Sequence, residues 1–152
     1  MLQPVAAPHD QGATPPPRCY FPLVPFSNRI ENGEFRFAGA RIRMRGNVAG
    51  TPHTMHGHGW HAVWQIRASS ASECSLSYER AADGEWPWHY AAMQTFAIAG
   101  DAVRVTLSVR NLGGRPMPCG LGFHPFFPAP AVRRRTRLAC GPCNPVNCGR
   151  SP

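Results

Sequence analysis

The feature that most restricts this fold is the run YAAMQTFAIAGDAVRVTLSVRNL from Tyr90 to Leu112. Phe96 and Ile98 alternate with smaller residues, Gly100-Asp101 interrupts, and Val103, Val105, Leu107 and Val109 alternate again with polar partners. Successive side chains of a strand point to opposite faces, so a period of two gathers these apolar residues on one face. The Gly-Asp break then makes a hairpin with one buried face and one wetter face.

Shorter stretches repeat the pattern. Phe35 and Phe37, then Ile42 and Met44, predict two strands turning at Ala38-Gly39. HAVWQIR puts Val63, Gln65 and Arg67 on one side of a strand and Trp64 and Ile66 on the other. CSLSYER alternates at Leu76 and Tyr78, and DGEWPW reads as an aromatic-rich turn. MPCGLGFHPFF reads as a further strand, with glycines where something approaches the backbone closely. No segment keeps a helical period over three turns. The expected class is all-β, an antiparallel β-sandwich or barrel without a linker that divides it.

Two segments stand apart from this body, which spans residues 19–128. Residues 1–18 form an irregular Pro-rich lead-in, and residues 129–152 an Arg/Pro/Cys-rich tail expected to be disordered. The net charge of +8 comes from sixteen arginines and no lysine. Residues 131–152 hold five arginines and no acid, whereas residues 1–130 hold eleven arginines against eight acids. A mildly basic body with a total absence of lysine points to GC-rich codon usage, and nucleic acid is not an expected partner. Nor is a membrane, since no apolar run is long enough to span one. The N-terminus lacks a secretory pattern, so a cytoplasmic location with free thiols is expected.

The chemistry-bearing residues concentrate in PHTMHGHGWHAVW, which holds His53, His56, His58 and His61. Zinc ligands usually come as two separated pairs that converge. Here the spacings are three, two and three, with no cysteine or carboxylate inside the cluster, so the metal signal is weak. A surface loop with incidental histidines is the plainer reading. Cys140, Cys143 and Cys148 in the tail make an incomplete zinc knot. His124, in GLGFHPFFP, is either a satisfied core residue or a general acid tuned by partial burial. Arg29, in VPFSNRI, is either structural or a donor fork for a polyhydroxylated ligand. Trp60, Trp64, Trp86 and Trp88 are sugar platforms or core residues.

Four motifs in order, CYFPLVPFSNRIENGEFRFAG, HTMHGHGW followed by Trp64, YERAADGEWPWHYAAMQTFAI and NLGGRPMPCGLGFHPFFP, together resemble the aldose 1-epimerases, or galactose mutarotases. The resemblance covers about residues 19–128. It implies a large antiparallel β-sandwich, the galactose mutarotase-like supersandwich, here incomplete. It implies interconversion of the α and β anomers of a galactose- or glucose-class sugar without a cofactor or metal. A base takes the anomeric hydroxyl proton, an acid protonates the ring oxygen, and the ring opens and recloses. By resemblance Asn28 and Arg29 bind sugar hydroxyls, His56 holds the sugar near the reacting centre, and His124 is the general acid. His58 and His61 match no family role, and His53 stands at a position often polar in the family, its role open.

The sequence also departs from the family. Family members are nearly twice as long and carry a sugar-binding aspartate and a glutamate base in a C-terminal half. Neither is located here, and no acid follows Asp101. The expectation is a truncated or frame-shifted epimerase, poorly folded alone and impaired in catalysis, since an acid–base group contributes roughly 10²–10⁴-fold. The alternative is a non-catalytic carbohydrate-binding protein.

Overall fold

A computed structural model describes residues 20–126. The lead-in, the tail and its three cysteines lie outside the described residues. In chain order the strands are β1 (Tyr20–Leu23), β2 (Arg29–Ile30), β3 (Glu34–Phe37), β4 (Ala40–Arg43), β5 (Thr54–Met55), β6 (Gln65–Ser69), β7 (Glu73–Arg80), β8 (Tyr90–Ala99), β9 (Ala102–Asn111) and β10 (Gly122–Pro125). A short 3-10 turn, Glu31–Gly33, lies between β2 and β3.

The period-two run forms the expected hairpin. β8 and β9 pair antiparallel from Ala99↔Ala102 to Tyr90↔Asn111, around a left-handed Gly100. β7 and β6 extend it into a four-stranded sheet in the order β6-β7-β8-β9, with a register shift between Ile66 and Ala68. The other strands form antiparallel ladders of two, β1–β10, β2–β5 and β3–β4. The class is therefore all-β and antiparallel, as the alternation requires.

The core lies at one end of the long sheet. Tyr90 and Ala92 present the buried face of β8, and Val24, Phe26, Ile42, Met44, Trp86, Trp88 and Met117 close over them. The two tryptophans come from the connector between β7 and β8. Asp83 Oδ1 accepts the backbone N–H groups of Glu85 (2.8 Å) and Trp86 (3.0 Å), a side-chain-made turn that swings the connector inward. Trp88 Nε1 donates to the Pro116 carbonyl at 2.8 Å, so its polar atom is satisfied under burial. At the other end of the same face the apolar residues are open, with Ile98 54% and Val103 65% exposed, and on the edge strand Ile66 is 61% exposed. The β1–β10 ladder meets the sheet through Tyr20, whose ring lies 5.6 Å from Phe96 and 5.2 Å from Phe123.

Two expected strands come out shorter. In HAVWQIR the strand begins only at Gln65, and Val63 lies outside it, largely exposed. The Trp64 indole donates to the Gly59 carbonyl at 2.8 Å and packs on Tyr78, which curls residues 59–64 back on themselves. In MPCGLGFHPFF only Gly122–Pro125 joins a ladder. The segment before it is drawn instead to residues 25–27, with Gly120 N donating to Pro25 O (3.0 Å) and Ser27 N to Gly120 O (2.6 Å). The close approach expected at the glycines is present at Gly122, where an added Cβ would stand 3.1 Å from the Ser27 Cβ.

Burial at one end of the sheet and exposure at the other separate large apolar residues by what their truncation costs. Trp86→Ala is expected to cost about 3–5 kcal/mol, the range for deleting a buried aromatic. Ile98→Ala is expected to stay within about 0.5 kcal/mol. Urea unfolding of both variants checks the pair of values.

Candidate functional site

The site is built around the carbonyl of Val24. His58 N and Gly59 N both donate to it, at 2.9 and 3.0 Å. This lays the glycine-rich loop against the Val24-Pro25 peptide, which is cis. A Cβ at Gly57 would stand 2.3 Å from Val24 O, and one at Gly59 2.3 Å from Val24 Cγ1. Only glycine permits the contact at both positions.

From that clamp the chain reaches Asn28 and His56, two non-glycine residues with left-handed backbones (φ 66° and 62°). They are joined directly, His56 N donating to Asn28 O at 2.9 Å. Left-handed backbone at a histidine is sparsely populated and persists where its surroundings hold it. Asn47 does part of this. Its Nδ2 donates to the carbonyls of Met55 (2.8 Å) and Gly57 (3.0 Å), and its Oδ1 accepts Met55 N (2.9 Å). The β2–β5 ladder, with Arg29 opposite Met55, fixes the arginine beside the same loop.

β10 brings His124 to this place, because it pairs with β1 with His124 opposite Phe21. The His124 ring stacks on Phe21 (4.8 Å) and on Phe126 (4.6 Å), and these two lie 6.0 Å from each other, so the three rings form one cluster. It faces the His56 ring edge-on at 6.1 Å. Trp60 closes the group, 5.9 Å from His56 and 5.8 Å from Phe21. Burial holds His56 below the ordinary histidine pKa, and His124 and Arg29 add to the effect by repelling a second positive charge. The neutral His56 keeps a buried Nδ1 with no hydrogen-bond partner among the described residues. A buried polar atom without a partner is uncommon and calls for one. No ion pair among the described residues joins a carboxylate to His56 or His124.

Of the residues singled out in the sequence, the structure thus brings together Asn28, Arg29, His56, His124 and Trp60. The four clustered histidines do not converge, and no group of three or more His, Cys, Asp or Glu is placed to hold a metal among the described residues. His53 Nδ1 accepts Asn32 N at 3.0 Å, and His61 lies against Trp60. Trp86 and Trp88 are core, and Trp64 packs on Tyr78.

His58 corrects the reading of an incidental surface histidine. It is 6% exposed, and its Nε2 lies 3.0 Å from Glu85 Oε2. The same carboxylate oxygen takes Arg80 at 3.0 Å, and Arg80 also pairs with Asp83. Burial pushes His58 down to about 4, with Arg80 assisting and Glu85 and Asp83 opposing. Sequence reading missed this network and Asn47. An acid set among the tryptophans of DGEWPW was the available signal for Glu85, whereas GNVAG gave none for Asn47.

With this geometry in hand, the comparison with known proteins is decisive for the family. The aldose 1-epimerase sequence profile matches residues 12–139. The chain belongs to the aldose 1-epimerase family. The uncharacterized protein YphB of Escherichia coli K12 is 37% identical over 121 residues, 80% of this chain and 41% of its own length. YihR of the same organism, also uncharacterized, is 26% identical over 106 residues, 69% of this chain and 34% of its own length. The crystal structure of a candidate aldose 1-epimerase from Escherichia coli K12 superposes with a TM-score of 0.64 at 39% identity, covering 70% of this chain and 35% of that one. A galactose mutarotase-like protein from Clostridium acetobutylicum, at 19% identity and a TM-score of 0.61 over 70% of this chain and 33% of that one, shows the shared fold. The epimerase-family chain described here thus spans well under half the length of the relatives it matches.

Two outcomes follow for stability. Gly57→Ala is expected to cost about 1–3 kcal/mol from the left-handed backbone alone, with the clash at Val24 O added, as read by urea unfolding. His58 binds a proton in the unfolded chain below about 6.5 but in the folded chain only below about 4. The unfolded state therefore holds more protons between those values, and stability rises with pH across that window, by at most about 3 kcal/mol. Unfolding measured from pH 4 to 6.5 should show that rise in the parent and its loss in His58→Gln.

Proposed function

We propose that this chain binds a galactose- or glucose-class aldose through the epimerase-family site and supplies the proton donor for ring opening. The observation that carries the reading is the meeting of His56 and His124, 6.1 Å apart, beside the β2–β5 ladder that bears Arg29. Residues with separate places in the sequence converge where the family's sugar-handling residues are implied.

In this reading Asn28 and Arg29 address sugar hydroxyls, and Arg29 does so with a permanent charge. His56 is the neutral partner whose unpaired Nδ1 accepts a hydrogen bond from a sugar hydroxyl. His124 is, in this reading, the donor whose proton goes to the ring oxygen. Trp60, Phe21 and Phe126 offer apolar faces to the pyranose. No metal or other cofactor has a part in this chemistry, and a cytoplasmic setting suits a free-sugar substrate.

The base is the part these residues do not supply. No carboxylate is paired with either imidazole among the described residues, and no acid follows Asp101 in the sequence. Impaired catalysis is therefore part of the proposal, and the same observation favours a second reading, carbohydrate binding without anomer exchange. Polarimetry on freshly dissolved α-glucose and α-galactose separates the two. A rate at the buffer level together with measurable calorimetric binding favours the binding reading. A rate above buffer that falls in His124→Ala favours residual epimerase activity. In either case Arg29→Ala should weaken binding about 10- to 100-fold, the loss of about 1.5–3 kcal/mol for a charged hydrogen bond, and His56→Ala about 2- to 10-fold, the loss of about 0.5–1.5 kcal/mol for a neutral one. Unchanged affinity in both variants would remove the proposed site.

A further inference from the structure

His58 stands two residues after His56, separated only by Gly57, yet it takes no part in the aromatic group around His124. Its contact runs the other way, to Glu85 in the connector that carries the core tryptophans. The carboxylate there only accepts, so His58 Nε2 must be the donor across the 3.0 Å gap. The backbone bonds of the loop, to Val24 O and to Asn28 O, fix where the chain passes. The Trp60 indole bonds within the loop, to Gly57 O at 3.1 Å. The His58–Glu85 contact instead ties the loop to a buried frame, because Glu85 is held by Arg80, and Arg80 by Asp83, whose Oδ1 makes the turn under Trp86.

We propose that His58 is a positioning residue, which by donating to Glu85 holds the 56–59 loop so that the His56 imidazole stays turned to His124. The proposal deepens the reading of His56 as the sugar-facing histidine and rests on it. It explains why a histidine suits a buried position two residues from another. Arg80 pairs with both Asp83 and Glu85, and His58 joins them as the fourth member by donating to Glu85. Burial and Arg80 both keep His58 in the neutral form. The groups that act on His56 itself are different ones, His124 and Arg29, so its titration reports its own surroundings.

The test reads His56 directly, without sugar, by nitrogen-15 NMR of the imidazole rings of the full chain across a pH titration. In His58→Leu the loop loses its anchor, and His56 should hydrate and its titration midpoint should rise toward the ordinary histidine value. His58→Gln keeps a donor at about the same reach and should return the midpoint to that of the parent. The dispersed indole signals of Trp86 and Trp88 report whether each variant is folded. Should His58→Leu not fold, Glu85→Ala removes the acceptor from a partly exposed position and should raise the midpoint in the same way. A folded His58→Leu or Glu85→Ala with the parent's His56 midpoint and ring shifts overturns the proposal. Because no ligand enters the measurement, that result leaves sugar binding to be judged on its own, and failure to bind sugar leaves the His56 result intact.

Discussion

The contact on which the rest depends is the approach of Gly57 and Gly59 to the carbonyl of Val24. The N–H groups of His58 and Gly59 converge on that oxygen, and an added Cβ would meet the oxygen at Gly57 and Val24 Cγ1 at Gly59. The strip from Val24 to Ser27 then becomes a spine with two other segments fastened to it. The Gly120 segment bonds to Pro25 and Ser27, and the chain leaves the strip at Asn28 to reach Arg29 and the His56 loop. Val24 itself is fully buried against the tryptophan core. The candidate site is thus the rim of the core, and its geometry follows from packing that a single added methyl group would disturb.

That placement sorts the ionisable groups. Below the loop, Arg80, Asp83, Glu85 and His58 form one connected network within the fold. Above it, His56, His124 and Arg29 lie near one another with no carboxylate in the group, a concentration of donors and potential cations that a hydroxyl-rich or anionic ligand would match. The aromatic rings around the two imidazoles limit water on that side and leave His56 Nδ1 facing a partner it does not have within the described residues.

How much of this was legible in the sequence depends on whether the determining contact is local. The β8–β9 hairpin was legible because its period, its glycine break and its register are all local, and Val105, Leu107 and Val109 lie on one face as read. The same period could not tell Tyr90, fully buried, from Ile98, half exposed, because what covers a strand face comes from elsewhere. DGEWPW reads as a turn and is one, but the depth of its tryptophans depends on Asp83 and on Pro116, far away in sequence. His58 was set aside for the same reason, since its meaning lies in Glu85. The grouping of Asn28, Arg29, His56 and His124 was reached through the family resemblance, as no spacing rule connects the first two to the last. Separate strand pairings, β2 with β5 and β1 with β10, are what bring them together.

The central claim is that these residues face one ligand. Amide and imidazole NMR shifts of the full chain, followed during titration with galactose and with glucose, test it most directly. The expected result is saturable perturbation confined to Asn28, Arg29, His56, Trp60 and His124, with the exposed β6–β9 end unmoved. Shifts absent at saturating sugar, or lying on the open sheet face and not at His56 and His124, would contradict it.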